Sequence, residues 1–320
     1  MAYVKINNIM GFEISMLPGE RTHNSTGDLA FHPKVKEMYL EKGYDNSPKT
    51  REEADSKRML HYNGLATSFP NIVSYPYCGQ DGMAVFAQLI GTRYLYGQAM
   101  RDAVSEARES GKPFSEEEIR SMNPQIANVS LLAPVRFEGR NYLLSQIKGE
   151  TLDSGELLIP LIAGGIEGER VHEFWPFVKD NHKQLLRALR REGHEELDLR
   201  VEDLDPHQFI WMINEPDWGY VNFVSIAGSV DLYAILHSYE DSSKRQLGLE
   251  KELEVAALAL IPTEGFRMEE TQGKTTLKGI TCYRPGINGL HPATEDVKLI
   301  PISKAILEHI SNKKNLRYLL

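Results

Sequence analysis

Apolar positions along this chain repeat with two different periods, and the switches between those periods mark its elements. Val35, Met38 and Tyr39 fall at helical spacing and predict a short amphipathic helix over Pro33–Lys42. Before it, the chain is mixed and carries few signals. After it, Asp45–Lys57 is polar and charged and reads as surface. Asn71–Tyr77 and Met83–Ile90 read as strands around the turn residues Gly79-Gln80-Asp81-Gly82, and a helix follows over Leu95–Ser110. Gly111-Lys112-Pro113 breaks that helix. Ser115 and Glu118 then have the spacing of a capping box, and Asn123-Pro124-Gln125 ends the short helix it opens. The division of the chain is expected here: an N-terminal α+β extension over residues 1–124 and a second domain over 125–320.

In the second part, Asn128–Phe137 and Arg140–Ile147 read as a hairpin around Glu138-Gly139. Glu156–Ala163 is a further β-rich run that ends on Gly164 and Gly165. Tyr220–Ile226, Val230–His237 and Glu252–Ile261 read as strands, and Ser303–Lys313 as a closing helix. The strongest helix runs from His182 to Leu197. Asn181 is placed to cap it with Gln184 three residues on, and Leu185, Leu186, Leu189 and Leu197 form its buried stripe.

At 320 residues the chain is long enough for two domains, with an ordinary globular balance of 41% hydrophobic and 25% charged residues. A net charge of -9 argues against non-specific binding to nucleic acid or to an anionic membrane. The apolar runs around Leu157–Ile166 and Val255–Pro262 are too short to span a bilayer. No basic region followed by an apolar stretch opens the chain, so a cytoplasmic protein is expected. Cys78 and Cys282 match no metal spacing and read as two buried thiols. His172, His182 and His194 share no zinc-ligand pattern.

The chemistry concentrates on one helix. Glu192, Glu195 and Glu196 stand at i, i+3 and i+4, so their side chains gather on one side of it. Like charges so close raise one another's pKa unless a cation intervenes, and a hard divalent ion with oxygen ligands does that directly. The bland alternative is a solvated face with Arg191 paired to Glu195.

The run Arg191-Glu192-Gly193-His194-Glu195-Glu196-Leu197-Asp198-Leu199 resembles the second half of the Nudix box, Arg-Glu-apolar-x-Glu-Glu-x-Gly-apolar. Ala188 matches the small residue that precedes the arginine. Leu158–Gly165 is similar to the strand that leads into the family's glycine loop, and Glu252–Pro262 to a later strand that often carries a further acid. Leu60-His61-Tyr62-Asn63-Gly64 resembles a phrase found before some Nudix domains. The likeness covers residues 125 to 315. Counting back from Arg191, Lys183 stands where the family has a glutamate and Phe177 where it has a glycine. The loop before the helix is longer than the family's. It contains Glu167, Glu169 and Glu173, any of which is available to replace the missing acid. Gly193 takes an apolar position, and Asp198 that of the terminal glycine.

The resemblance implies a Nudix-like α/β/α sandwich around a mixed sheet, within an overall α+β class. It implies Mg²⁺-dependent hydrolysis of a pyrophosphate bond in a nucleoside diphosphate linked to another moiety, with Mn²⁺ as a substitute ion. Glu192, Glu195 and Glu196 would hold the metal, and Glu195, Glu196 and Arg191 would carry the chemistry. Gly164, Gly165 and Trp175 would contact the nucleotide, with Phe174 and Phe177 beside them as stacking or packing residues. Glu250, Glu252 and Glu254 are alternatives for the base. A catalytically inactive Nudix-fold protein that binds a nucleotide is the second reading, favoured by Lys183, Gly193 and Asp198. A homodimer is left open.

Overall fold

The computed structural model describes residues 4–16, 32–57, 65–76, 83–149, 156–166, 181–206, 210–215, 219–228, 230–248, 255–271, 274–286 and 288–311. Among these, β4 (Ile126–Phe137) organises the molecule, because its two halves serve different neighbours. Its first half pairs in parallel with β9 (Tyr220–Ile226) and antiparallel with β7 (Ile162–Gly165). Its second half forms the expected hairpin with β5 (Arg140–Lys148), beyond which come β10 (Val255–Pro262) and β12 (Lys274–Gly286). β11 (Arg267–Thr271) and β13 (Gly289–Lys298) both pair with β12.

On the other flank the sheet continues from β4 through β2 (Leu65–Pro76), β3 (Met83–Arg93), β1 (Lys5–Met16) and β8 (Trp211–Glu215) to β9. Since β9 pairs again with β4, these strands close into a ring. β1 was not expected from the sequence. It is held by parallel pairing with β3 and antiparallel pairing with β8, both distant in the chain.

Period-two alternation on the central strands sends side chains to two cores. Val129 and Leu131 of β4, Phe223 of β9 and Leu258 of β10 face one helical layer. That layer is α5 (Asn181–Leu197) and α6 (Leu232–Gly248), which contribute Leu185, Leu189, Ile235 and Tyr239. Leu132, Val224 and Ala259 face the opposite way, onto Ile302, Ile306 and Ile310 of α7 (Pro301–Ser311). Helices therefore cover both faces of a mixed sheet, the α+β class expected. Each large aliphatic side chain buried this way contributes about 1.5–3 kcal/mol. A third core joins α1 (Pro33–Glu41), α3 (Leu95–Glu109) and α4 (Glu116–Met122), with Tyr39 stacked on Tyr96 at 4.2 Å between ring centroids. Ser115 and Glu118 make the reciprocal bonds of the capping box. The polar stretch after α1 contains a short helix, α2 (Arg51–Ser56), with Ala54 buried.

One expectation needs correction. Val230–His237 is not a strand; it is the start of α6. Asp231 caps the helix, its Oδ1 accepting from the Tyr233 and Ala234 amides at 3.0 and 3.1 Å, while Leu232, Ile235 and Tyr239 recur with helical period on the buried side. The β-rich run Glu156–Ala163 divides into two short strands. β6 (Leu157–Leu158) and β7 are separated at Pro160, which has no amide hydrogen to give a ladder. Ser303 supports the break: its Oγ donates to Leu157 O at 2.8 Å and accepts from Ile159 N at 2.9 Å. No helix among the described residues is long and apolar enough to cross a membrane.

Candidate functional site

α5 lies across β7 with Leu185, Ala188, Leu189, Gly193 and Leu197 buried. Helical spacing puts Glu192 and Glu196, four residues apart, on this same inward side. Their side chains are 16% and 6% exposed, whereas Glu195 is 35% exposed. A solvated face is thereby excluded for two of the three glutamates. Helix geometry explains why: the stripe that buries Leu185 and Leu189 passes through residues 192 and 196 in the following turns.

The two glycines expected at this site have a definite task. A Cβ on Gly164 would lie 2.0 Å from Cδ of Glu192, so the carboxylate lies directly on a strand that lacks a side chain. Arg191 clamps the arrangement. Its Nη2 donates to Gly165 O at 2.7 Å and also to Oε1 of Glu192, while its Nε stands 4.0 Å from Glu195. Arg191, Glu192, Gly164 and Gly165 are thus brought together. Burial raises the Glu192 carboxyl to about 7; Arg191 pulls it down, while the charges of Glu196 and Glu195 push it further up.

Glu196 points to β5. Lys148 Nζ donates to its Oε1 at 2.7 Å and Gln146 Nε2 to its Oε2 at 3.3 Å. Neither β5 residue was singled out from the sequence. The signal was present: Leu144, Gln146 and Lys148 alternate onto the helix-facing side, and two polar residues there stand where the pattern asks for apolar ones. The ammonium beside these carboxylates comes from Lys148. Lys183 lies in the first turn of α5, and its side chain is outside the described residues, as are Trp175, Phe174, Phe177, Glu167, Glu169, Glu173, Glu250, Glu252, Glu254 and Cys78.

Gly193 and Asp198 have local explanations. A Cβ on Gly193 would meet Val201 Cγ2 at 2.7 Å and Ile162 Cδ1 at 3.0 Å, so the glycine lets α5 approach β7 closely. Ala at this position gains up to about 1 kcal/mol of helix propensity but incurs an overpacking cost of about 1–3 kcal/mol. Gly193→Ala is therefore expected to lower the melting temperature, and a rise would show that helix and strand part easily. Asp198 adopts φ 55° in the left-handed region, the conformation that ends a helix. Its carboxylate pairs with Arg245 of α6 at 2.5 Å and His194 at 3.2 Å, which ties the two helices together.

Among the described residues no three His, Cys, Asp or Glu side chains are arranged as a metal-ligand set. One observation bears on whether an ion fits. Oε1 of Gln146 is buried without a hydrogen-bond partner beside Glu196. A neutral oxygen and carboxylates are the donors a hard divalent ion takes. By contrast, Cys282 is buried and its thiol is pushed up to about 12, which leaves it protonated and inert.

No protein-family model matches this chain, and no curated protein matches it in sequence. Among solved structures it is similar to a MutT/Nudix family protein from Enterococcus faecalis, at 9% identity over 70% of this chain and 77% of that one, with a TM-score of 0.29.

Proposed function

We propose that this chain is a Nudix-type hydrolase that cleaves the pyrophosphate bond of a nucleoside diphosphate linked to another moiety, with Mg²⁺ as its ion. The observation that carries the proposal is the burial of Glu192 and Glu196 on the inward face of α5, where each raises the electrostatic cost of the other and Glu192 lies on Gly164. Purely structural core positions would hold Leu. Buried carboxylates that repel one another are kept where a cation is to be received.

Mg²⁺ supplies charge compensation for the pyrophosphate oxygens when bound. Of the three glutamates, Glu192 and Glu195 are the ones proposed to hold it, since Glu196 is paired with Lys148. Arg191 fixes the helix to the glycine strand through Gly165 O and orients Glu192. Glu195, the most exposed of the three, takes the proton from the attacking water. The Gly164–Gly165 strand seats the Glu192 carboxylate, with Gly164, Gly165 and Trp175 proposed as the substrate-facing residues. The competing reading, nucleotide binding without turnover, is favoured by one observation: Glu196 already holds an ammonium.

The test is a screen of the purified protein with Mg²⁺ against pyrophosphate-linked nucleotides, following release of nucleoside monophosphate. Turnover is expected, and Glu195→Gln should reduce it by at least about a hundredfold, since the substitution removes both the proposed base and a proposed ligand of the ion. Tight nucleotide binding with no turnover across the panel would establish the binding reading instead.

A further inference from the structure

We propose that Tyr94 and Asn128 form a base subsite at Gly165, where a nucleotide's base stacks on the tyrosine ring and is read by the asparagine amide. The inference rests on the reading of the ligand as a nucleotide, and it brings a residue of the N-terminal extension into the site.

Gly164 and Gly165 differ in their reasons to be glycine. Strand alternation turns them to opposite faces of β7. On one face the Glu192 carboxylate takes the place of a Gly164 Cβ. On the other, a Gly165 Cβ would stand 3.6 Å from Asn128 Oδ1 and 3.9 Å from Cδ2 and Cε2 of Tyr94, which are ordinary contact distances. The fold would accept a side chain there, so packing does not ask for glycine. A strand glycine of that kind suits the close approach of a ligand to the backbone.

Asn128 and Tyr94 border that place. Asn128 is in register with Gly165 of β7 and with Asn222 of β9. The Asn222 amide goes to Glu215, while Asn128 Oδ1 is buried with no hydrogen-bond partner. A buried polar atom without a partner in a native fold calls for one. With none to hold Oδ1, the amide turns about its last bond at no cost in shape, and so offers acceptor or donor toward Gly165. Adjacent acceptor and donor are what the hydrogen-bonding edge of a base requires. Tyr94 stands one residue before α3 and is 38% exposed. Gly97 lets α3 close onto the buried ring of Tyr220, since a Cβ there would lie 2.8 Å from Cζ. The Tyr94 ring rests 6.2 Å from that of Tyr220, centroid to centroid, which sets it beside Gly165. A positioned, partly exposed ring provides a face on which a base stacks.

The four nucleoside monophosphates and ribose 5-phosphate are the probes, their binding to the full chain followed by calorimetry without added metal. At least one monophosphate is expected to bind about tenfold or more tighter than ribose 5-phosphate, the scale of one stacked base. Tyr94→Ala and Asn128→Leu should each remove about tenfold of that preference, and Tyr94→Phe should keep it. Gly165→Ala is the sharpest variant. It should hold its melting temperature within about 3 °C of wild type yet lose the preference, because the added methyl meets the base and not the protein. If Asn128→Leu does not fold, Gly165→Ala and Tyr94→Ala decide the matter. A preference that survives both, or no monophosphate bound more tightly than ribose 5-phosphate, overturns the proposal. Should that happen while pyrophosphate-linked nucleotides are still turned over, the hydrolase reading stands without this subsite. A preference that depends on Tyr94 and Gly165, in a chain that turns nothing over, supports the subsite and removes the hydrolase reading.

Discussion

Lys148→Met and Glu196→Leu are each expected to destabilise the chain by about 3–5 kcal/mol, and the double variant by far less than their sum. The reason is the asymmetry of a buried ion pair. Its net worth is small, because the attraction between the charges is spent on removing both from water. Deleting one partner takes the nearest opposite charge from the other inside the protein, and that penalty is large. Lys148 reaches Glu196 across from β5 to the last turn of α5, with both groups almost wholly covered, so water does not relieve the survivor. Replacing both by apolar side chains of similar volume removes the charges together and leaves a packed contact next to Leu144, Leu189 and Leu197. Urea unfolding of the wild type, two single variants and the double variant gives the coupling energy directly. A value of about 2 kcal/mol or more is expected. Single variants that cost less than about 1 kcal/mol would mean that the pair behaves as an exposed one.

Local patterns were legible in this sequence, and long-range pairings were not. The α1 stripe, the capping box at Ser115 and the β4–β5 hairpin each follow from residues close together in the chain, and each is present. β1 was invisible because its partners are β3 and β8, and nothing in Lys5–Met16 alone distinguishes a paired strand from a polar segment. Val230–His237 misled because a short apolar run fits both periods. The deciding signal was the Asp231 cap, the second residue of the run, together with Tyr239 just beyond its end. At the site, the spacing of Glu192, Glu195 and Glu196 made their grouping legible, but not the direction in which the group faces. Two of the three turn inward because the Leu185–Leu189 stripe fixes the rotation of α5. Lys148 was missed for a related reason: it acts through an alternation on β5 whose meaning depends on which helix covers that face.

Glu192→Gln should stabilise the protein at pH 8 and leave it nearly unchanged at pH 4.5. The Glu192 carboxyl has a pKa of about 7 in the fold against an ordinary value of 4.5, because burial and the charges of Glu196 and Glu195 outweigh the pull of Arg191. Between those two pH values the folded chain holds a proton that the unfolded chain has released, so the contribution of this group to stability declines as pH rises from 4.5 to 7. Above pH 7 the cost is complete, at most roughly 3 kcal/mol. Glutamine has nearly the shape of the protonated acid and never ionises. It avoids the cost at high pH and gains nothing at low pH, where Glu192 is itself neutral. The gain is reduced by whatever the Arg191 bond to the carboxylate contributes, since Gln accepts a weaker hydrogen bond. Melting temperatures of both chains from pH 4.5 to 8.5 give the comparison, and the difference should grow from near zero to its maximum across the window that ends near pH 7. Adding millimolar Mg²⁺ at pH 8 should then narrow the difference by stabilising the wild type, since an ion on Glu192 removes the charge that glutamine removes by chemistry. A Glu192→Gln variant less stable than wild type at pH 8 without metal would mean that Arg191 alone compensates the carboxylate, and the case for an ion at that position would be lost.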